Sequence, residues 1–511
     1  MTGRLQDLFD DLPTYLGGHL TLSLSALAVG LIISLPLGIL ASRKPRFAEW
    51  VLGVAGVIQT IPSLALLALM VPVLGGLIGF VPAFLALILY SILPILANTI
   101  IGLQGVDPVL KEASRGLGMS DGQMLRRVLL PLAAPVIIAG IRTATVLVVG
   151  TATLATPVGE ATLGNYIFQG LETRDNLATI FGCVAAALLA VVLDQLIRLL
   201  QKSAEKRDRT LAIIALAGLA VVVLGGLYKP VTRLLGRHAN RAVVASGPFT
   251  EQHILSRVLA ARLQDGGFVP YRRPGMGETI MFEALRRNQV DCCVDYSGSV
   301  WAILMKRPEP ARREDTLRGI TEYLRDKHGI ECLGSLGFEN KYTLAVRADW
   351  AAANGLTTIS DLARHIRGNR GRPLIIGGDH MIFSRPEWKR LRDLYGLQRG
   401  FETIPMDPSL MYEAAALGKV DVITAYSTDG RIKASNLVVL TDDKEAFPPY
   451  DAVLLVSPRG RERPGLVESL RPLVNAIDEG EMQQANLRVD VDNWSVRQAS
   501  DELLTRIAGP P

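Results

Sequence analysis

The residue types that perform most enzyme and metal chemistry are few and scattered in this sequence. Six histidines and four cysteines occur among 511 residues, without a CxxC pair or an HExxH motif. The phosphate-binding pattern GxxxxGK[ST] does not occur either. We therefore expect no catalytic residues, no metal site and no cofactor bound by this chain, and any ATP-driven work must use a partner protein.

The cysteines leave the redox state open. Cys183 lies in an apolar run and is interpreted as an inert, small core residue. Cys292 and Cys293 are adjacent and cannot easily pair with each other, so one disulfide to Cys332 plus a free thiol is one alternative, and three free thiols the other.

Hydropathy divides the chain into two unlike halves. Mean hydropathy is +0.28 and only 20% of the residues are charged, which excludes a disordered chain and is unusual for a water-soluble enzyme. Residues 241–511 have an ordinary soluble composition, and a linker at 231–240 precedes them. Residues 1–230 contain six apolar stretches long enough to span a bilayer, at about 16–41, 51–75, 79–104, 133–156, 176–197 and 210–228.

Basic residues cluster in the loops after the first, third and fifth apolar stretches, as at Arg43, Lys44, Arg126, Arg127 and Lys202. Such loops usually face the cytoplasm. We predict a multi-pass protein of the bacterial plasma (inner) membrane, with the 241–511 domain on the periplasmic or extracellular side. These orientation signals account for the net charge of +5, and no nucleic-acid partner is expected.

Arg142 stands inside the fourth apolar stretch, where a lone charge is costly. It is either a residue of a translocation path or a structurally paired residue in a bundle interior. We favour the structural pair.

The loop at 107–131 has the pattern of a docking element. Glu112–Gly118 reads EASRGLG, and nine residues later Val128–Pro131 reads VLLP. This pattern predicts a short helix, a glycine turn and a second amphipathic helix that ends at Pro131.

The same pattern resembles the coupling loop of ABC importer permeases, with Ser114 and Val128 as mild departures. The resemblance implies that the loop docks on a separate cytoplasmic ATPase, which holds ATP and magnesium. The residues that carry this coupling would be Glu112, Ala113, Gly118 and Pro131.

The second half alternates short apolar runs with amphipathic segments. Strands are predicted at Arg241–Ser246, Leu374–Gly377 and Val420–Ala425, and a helix at Glu251–Gln264. Such alternation is typical of an α/β fold that binds ligands at its strand ends. We predict two lobes, lobe I at 241–345 and 450–511 and lobe II at 346–449, with hinges near Ala345 and Tyr450.

Five short motifs in this half resemble the binding proteins of osmoprotectant importers, which take up glycine betaine, choline or carnitine. They are FTEQ at 249–252, DYSGS at 295–299, NKYTLA at 340–345, AYSTDG at 425–430 and FPPY at 447–450. With the permease-like half, the resemblance covers nearly the whole chain. It implies a type I ABC importer permease fused to a two-lobed periplasmic-binding-protein domain, working as a homodimer.

The resemblance also implies a ligand site. A quaternary ammonium cannot donate a hydrogen bond and is held best by aromatic faces, and the family uses a tyrosine cage. Tyr296, Tyr342, Tyr426 and Tyr450 fall on the matching positions, while Ser299 and Arg385 match a hydroxyl and an arginine that hold a carboxylate. The alternatives are core tyrosines with bonded hydroxyls and a surface salt bridge at Arg385.

One position departs from the family pattern. Gly247 stands where some members of the family carry a lysine. The missing side chain predicts a roomier, less positive end of the site. It favours a larger betaine, such as carnitine or ergothioneine, over glycine betaine.

Together these features predict the membrane-plus-receptor subunit of an ATP-driven importer for a quaternary ammonium or betaine compound. A membrane-anchored sensor that uses the same lobes without transport is the alternative. The intact coupling loop argues against it.

Overall fold

The computed structural model describes residues 2–173, 175–206, 208–235, 240–307, 311–368, 371–379 and 382–508. Ten α-helices lie in the described part of the membrane half: α1 Thr2–Ala41, α2 Pro45–Thr60, α3 Ser63–Val73, α4 Phe80–Gln104, α5 Pro108–Gly116, α6 Asp121–Met124, α7 Leu130–Ala152, α8 Gly164–Glu172, α9 Asn176–Lys206 and α10 Arg209–Leu235.

Five of the described segments are long and apolar enough to cross a membrane, and a sixth crossing depends on the bent pair α2 and α3. The span predicted at 51–75 falls on this bent pair, whose two helices meet at an angle of 97°. Ile61 and Pro62 between them have extended backbones, since a proline disfavours the helical conformation of the residue before it.

The predicted docking loop contains the short helix and the glycine turn. Helix α5 ends at Gly116, Gly118 has a φ of +73°, and a capping box of Ser120 and Gln123 starts α6. The second helix does not end at Pro131 as predicted. A π-helical turn at Leu125–Leu129 joins α6 to α7, and the proline is accommodated in the first turn of α7 because this position needs no regular amide donor.

Arg142 in α7 forms an ion pair with Asp194 in α9, with Nη2 at 3.0 Å from Oδ2. The predicted structural pair is confirmed. Cys183, on the same helix as Asp194, is exposed, so its prediction as a core residue is wrong. Apolarity alone does not separate a helix face that packs on protein from one that faces lipid.

The described residues of the second half form two five-stranded sheets. The first has the order β2-β1-β3-β10-β4 and the second β7-β6-β8-β5-β9. Their bounds are β1 Arg241–Ala245, β2 Val269–Arg273, β3 Cys292–Tyr296, β4 Glu331–Glu339, β5 Tyr342–Arg347, β6 Leu374–Gly378, β7 Phe401–Pro405, β8 Val422–Tyr426, β9 Leu437–Leu440 and β10 Asp451–Val456. The three strands predicted from sequence occur within two residues of the expected bounds.

The chain crosses between the sheets twice. It leaves the first sheet after Glu339 and enters the second at Tyr342, so the first crossing is at Asn340–Lys341 and not near Ala345. The predicted boundary lies too far along the chain because β4 and β5 are separated by only two polar residues. In the sequence the two strands therefore look like one almost continuous strand. The return crossing lies at 441–450, between β9 and β10, and the position near Tyr450 stays a predicted hinge.

Helices cover both sheets, and the predicted helix at 251–264 is α11. Their bounds are α11 Thr250–Asp265, α12 Glu278–Arg286, α13 Ser297–Ser299, α14 Arg313–His328, α15 Ala348–Asn354, α16 Ile359–Gly368, α17 Pro386–Tyr395, α18 Pro408–Ala416, α19 Arg431–Ala434, α20 Pro458–Arg461, α21 Leu466–Leu470, α22 Glu479–Asp490 and α23 Val496–Ala508.

Cys292, Cys293 and Cys332 are all free thiols. Leu455 of the intervening strand β10 is in register with both Cys293 and Cys332. Two inter-strand spacings, roughly 10 Å, exceed the reach of a disulfide. The alternative with a bridge from Cys293 to Cys332 is therefore excluded by the sheet.

Lobe I rests on the membrane half. Met276, Ile78 and Val158 belong to one apolar core, and the Ile78 amide donates to Gln289 Oε1 at 3.3 Å. The N-terminal turns of α1 carry three aspartates that form ion pairs with three arginines of lobe I: Arg497 Nε lies 3.0 Å from Asp7 Oδ1 and its Nη1 3.0 Å from Asp10 Oδ2, and Arg257 and Arg272 lie 3.4 Å and 3.7 Å from Asp11 Oδ2. We call this six-residue contact the aspartate–arginine clamp.

The docking loop and the binding domain lie at opposite ends of the membrane helices. Ile78 precedes α4, while the Lys111 ammonium of the loop donates to the carbonyl of Leu103 near the end of α4. A helix of 25 residues is about 37 Å long. The predicted linker at 231–240 begins as the last turn of α10, and its residues 236–239 lie outside the described part of the chain.

Candidate functional site

A cavity between the two lobes brings all six residues predicted as ligand contacts into one wall. These are Tyr296, Ser299, Tyr342, Arg385, Tyr426 and Tyr450. Gly247, which the sequence analysis placed at one end of the site, lines the cavity as well. Further lining residues that the sequence analysis did not nominate are Pro248, Phe249, Thr250, Glu251, Gln252, Glu278, Asp295, Asn340, Thr428, Asp429, Arg431, Asn486 and Asp490.

The aromatic part of the wall follows from strand register. Tyr342 begins β5 and Tyr426 ends β8, and the two residues are direct antiparallel partners, so their ring centroids are 4.9 Å apart. Tyr450 approaches Tyr342 edge-on at 5.8 Å, and Phe249 of lobe I lies 5.7 Å from Tyr426. Rings from both lobes thus meet at one place, as a cage for a cation requires.

Carboxyl groups accept hydrogen bonds from three of the four tyrosine hydroxyls. Tyr426 donates to Asp379 Oδ2 at 2.9 Å, Tyr450 donates to Glu387 Oε1 at 2.7 Å, and Tyr296 donates to Glu251. Burial raises the pKa of Tyr426 and Tyr450, so the phenols stay neutral. These tyrosines line the cavity and also have hydrogen-bonded hydroxyls. A bonded hydroxyl therefore does not exclude a role for the ring in a ligand cage.

Negative charge exceeds positive charge in the wall. Five carboxyl side chains line it, against two guanidinium groups. One guanidinium, that of Arg431, is paired with Asp429, with Nε at 2.9 Å from Oδ1. Burial, reinforced by Glu278, raises the pKa of Asp295 to about 7. The electrostatics of this wall favour a ligand with a positive group.

Arg385 places a positive charge in the same cavity. It precedes α17, its side chain is only 10% exposed, and its guanidinium carbon lies 5.3 Å from the Tyr342 ring centre. Its nearest carboxylates are Glu278 at 3.7 Å and Glu387 at 3.9 Å. Both carboxylates lie beyond hydrogen-bond distance, and among the described residues the buried Nη1 makes no hydrogen bond.

Glu251 is the central acceptor of the site. It lies in the first turn of α11, where the helix dipole favours a carboxylate. It accepts hydrogen bonds from Thr428 at 2.6 Å, from Asn340 and Asn486 at 3.0 Å each, and from Tyr296. Burial raises its pKa, while these four donors lower it. Because Thr428 belongs to lobe II, this carboxylate links the lobes.

The end of the site near Gly247 differs from the expectation. A side chain at 247 would meet Gln252 Oε1 at only 2.0 Å from its Cβ. The absent lysine therefore does not leave an empty space, because the Gln252 amide occupies it. The sequence offered one signal for this residue, its place in the FTEQ motif.

The four predicted coupling residues lie in the docking loop, far from this cavity. Glu112, Ala113, Gly118 and Pro131 are exposed. Two apolar side chains beside them are strongly exposed as well, Val109 at 67% and Leu117 at 78%. Exposed apolar groups on a short projecting helix are typical of a protein docking site.

Comparisons with known proteins agree with this architecture. Residues 241–506 match the family described as the substrate-binding domain of ABC-type glycine betaine transport systems. Residues 34–207 match the family described as the inner membrane component of binding-protein-dependent transport systems.

Individual relatives cover either the whole chain or one half. The ergothioneine transport permease/ergothioneine binding protein EgtU of Helicobacter pylori (strain G27) is 30% identical over 93% of this chain and 87% of its own length. The choline transport system permease protein OpuBB of Bacillus subtilis (strain 168) is 45% identical over 36% of this chain and 84% of its own length. A solved glycine betaine/carnitine/choline ABC transporter structure is 28% identical over 52% of this chain and 97% of its own, with a TM-score of 0.46.

The two family matches together span the membrane helices and the two-lobed domain, and one relative matches across both. The chain therefore belongs to the ABC importers of the glycine betaine type, as a subunit in which the permease and the substrate-binding domain form one polypeptide.

Proposed function

We propose that this chain binds a betaine in the cavity between its lobes and passes it through its own membrane helices. The observation that carries the proposal is the meeting of an aromatic cluster and the mostly buried Arg385 guanidinium in one interlobe cavity. The aromatic faces and the surplus carboxylates suit a quaternary ammonium, and Arg385 with Ser299 suits a carboxylate.

The names of the relatives support one chemical class of cargo. Those whose names state a cargo transport choline, carnitine, glycine betaine or ergothioneine. One relative that matches this chain across both halves is the ergothioneine protein. These names support a betaine or related quaternary amine, with ergothioneine as the favoured member.

The proposed transport cycle uses the binding domain at one end of the membrane helices and the docking loop at the other. Cargo entry closes lobe II on lobe I, with Asn340–Lys341 and 441–450 as hinges. A separate ATPase, which holds ATP and magnesium, docks at the loop 107–131 and drives the membrane helices. The chain works as a homodimer without catalytic activity of its own, and its binding domain lies on the outer, periplasmic or extracellular, face of the bacterial inner membrane.

Calorimetric titration of the full chain in lipid nanodiscs tests the cargo class, with glycine betaine, choline, carnitine and ergothioneine as ligands. We expect at least one to bind. Tyr342→Ala should weaken that binding by about tenfold or more, because a cation–π contact contributes roughly 0.5–2 kcal/mol and its burial adds to this.

The matched control is Tyr342→Phe, which keeps the aromatic face and loses only the hydroxyl. It should bind within about threefold of the wild type. Absence of binding for all four ligands, or equal binding by the alanine variant, would reject the proposal.

A further inference from the structure

The break between α2 and α3 lies deep within the membrane half. Tyr90 of α4 donates a hydrogen bond to the carbonyl of Ile61, which stands in the break. Tyr90 is the eleventh of the 25 residues of α4, so it lies about 15 Å from the end of α4 near lobe I and about 21 Å from the end near the docking loop. The break is therefore at a depth where a spanning segment is surrounded by hydrocarbon or by protein.

The break leaves backbone groups without partners. Among the described residues, no hydrogen bond is made by the amides of Ser63, Leu64 and Ala65 or by the carbonyls of Gln59 and Thr60. A continuous helix would pair all of these groups within the segment. Irregular backbone at membrane depth is tolerated only where protein buries it or where it lines a water-filled cavity.

Two polar side chains accompany these backbone groups. Thr60 is exposed and Gln59 is half-buried. The Thr60 hydroxyl donates to the Val57 carbonyl at 2.7 Å, but the Gln59 carboxamide makes no hydrogen bond with a described residue. A carboxamide without a partner is costly in an apolar medium. Lipid is therefore an unfavourable environment for this face of α2.

A second copy of the chain would not satisfy these groups well. Its helices pair their own backbone groups internally, and the described membrane helices present apolar side chains such as Ile32, Val146 and Val191. Water both donates and accepts hydrogen bonds, so it can serve the amides, the carbonyls and the carboxamide alike.

We infer that the break between α2 and α3 lines a water-filled cargo path through the membrane half, with Gln59 and Thr60 as path-lining residues. This inference rests on the proposed function, because the path is the route by which cargo leaves the interlobe cavity. A betaine carries both a positive and a negative group, and it can cross at this depth only if both stay in polar surroundings. The break supplies such surroundings on one side of the path.

The test is cysteine labelling of the full chain in lipid nanodiscs with 2-(trimethylammonium)ethyl methanethiosulfonate, a water-soluble reagent. The parent chain is Cys183→Ser, because Cys183 is the exposed native thiol. Thr60→Cys and Gln59→Cys should each react about tenfold or more faster than Val221→Cys, because the reagent attacks the thiolate, which forms in water and not in hydrocarbon.

Val221 is a matched control for exposure and depth. It is 70% exposed and lies about 18 Å along α10 from Arg209. Helix α10 is the least buried of the candidate spans among the described segments. A thiol at 221 therefore faces lipid.

Labelling also has a consequence for transport. In proteoliposomes with the partner ATPase, labelled Thr60→Cys should no longer take up ergothioneine, or whichever of the four titrated ligands binds. Its binding of that ligand in nanodiscs should be unchanged, because the label lies in the path and not in the interlobe cavity.

Slow labelling of both Thr60→Cys and Gln59→Cys, at the rate of Val221→Cys, would overturn the inference while the proposed function stands. A disulfide between two copies at Thr60→Cys without labelling would assign the break to a subunit interface and would also reject the inference, as would full uptake after complete labelling. A parent chain that binds none of the four ligands, or that binds one without taking it up, fails the proposed function instead.

Discussion

Asp295 is the cavity carboxyl whose charge changes near neutral pH. Burial is the main cause of its pKa of about 7, Glu278 raises that pKa further, and Arg385 lowers it. A bound cation favours the ionised form, so binding lowers this pKa and releases protons. The affinity for a quaternary ammonium must then rise with pH through 7.

This coupling predicts a pH profile. Ergothioneine should bind about three- to tenfold more weakly at pH 6 than at pH 8, because protonated Asp295 no longer attracts the cation. Asp295→Asn should bind weakly at both values, with a flattened profile. Titration in buffers of different ionisation enthalpy would count the released protons, and a wild-type affinity that does not change with pH would refute the assignment.

At the residue scale the sequence was informative where one motif carries the chemistry. The four tyrosines, Ser299 and Arg385 were each identified by a local pattern, and all six line the cavity. Glu251 was missed although it lies in a motif, because its donors are 45 to 235 residues away along the chain. No periodicity reveals such a network. The clash that places Gln252 over Gly247 also needs coordinates.

The docking loop is an element whose surface makes a prediction. Leu117→Asp places a charge on a side chain that is 78% exposed beside Gly118, and a buried unpaired charge at an interface is costly. With the partner ATPase in proteoliposomes, cargo-stimulated ATP hydrolysis should fall about tenfold or more. Cargo binding should stay unchanged, because the loop lies at the other end of the membrane helices.

Leu417→Asp provides a matched control, since Leu417 is similarly exposed but lies on the binding domain. It should leave ATP hydrolysis near the wild-type rate. A Leu117→Asp chain that couples normally would show that this side chain does not enter the ATPase.

Elements were predictable where length and apolar pattern agree. The strands at β1, β6 and β8 and helix α11 matched within two residues. The bend between α2 and α3 and the merging of α6 into α7 were not predictable, because hydropathy reports apolarity and not direction. The continuous run across β4 and β5 likewise concealed the crossing at Asn340–Lys341, which only the change of sheet reveals.

At the scale of the whole molecule, the aspartate–arginine clamp attaches lobe I to α1, and lobe II carries none of its six residues. A partly exposed ion pair such as Arg497–Asp10 contributes about 0.2–1 kcal/mol and is screened by salt, whereas Arg257, Arg272 and Asp7 are mostly buried, so their pairs are screened less. The docked position should therefore depend on ionic strength, while the apolar contact at Met276 persists.

Arg497→Glu should release the outer end of α1, because it places a carboxylate beside Asp7 and Asp10. Hydrogen exchange of the amides at residues 5–14 should then accelerate about tenfold or more, as it should for wild type in about 1 M salt. Combining the variant with Asp7→Arg and Asp10→Arg should restore slow exchange. Unchanged exchange in Arg497→Glu would mean that the clamp does not hold the helix.

Because α10 and β1 belong to one polypeptide, the number of receptors cannot change independently of the number of permeases. Importers with free receptors gain flux when the cell secretes more receptor, whereas here capture and passage are consecutive steps on the same polypeptide. The empty cavity must then capture one cargo molecule from solution in each transport cycle. When cargo is scarce, the rate of uptake is therefore proportional to the external cargo concentration and to the number of complete transporters. Selectivity of the cavity matters more than in an importer with free receptors, because a wrong molecule bound there blocks uptake by the whole transporter.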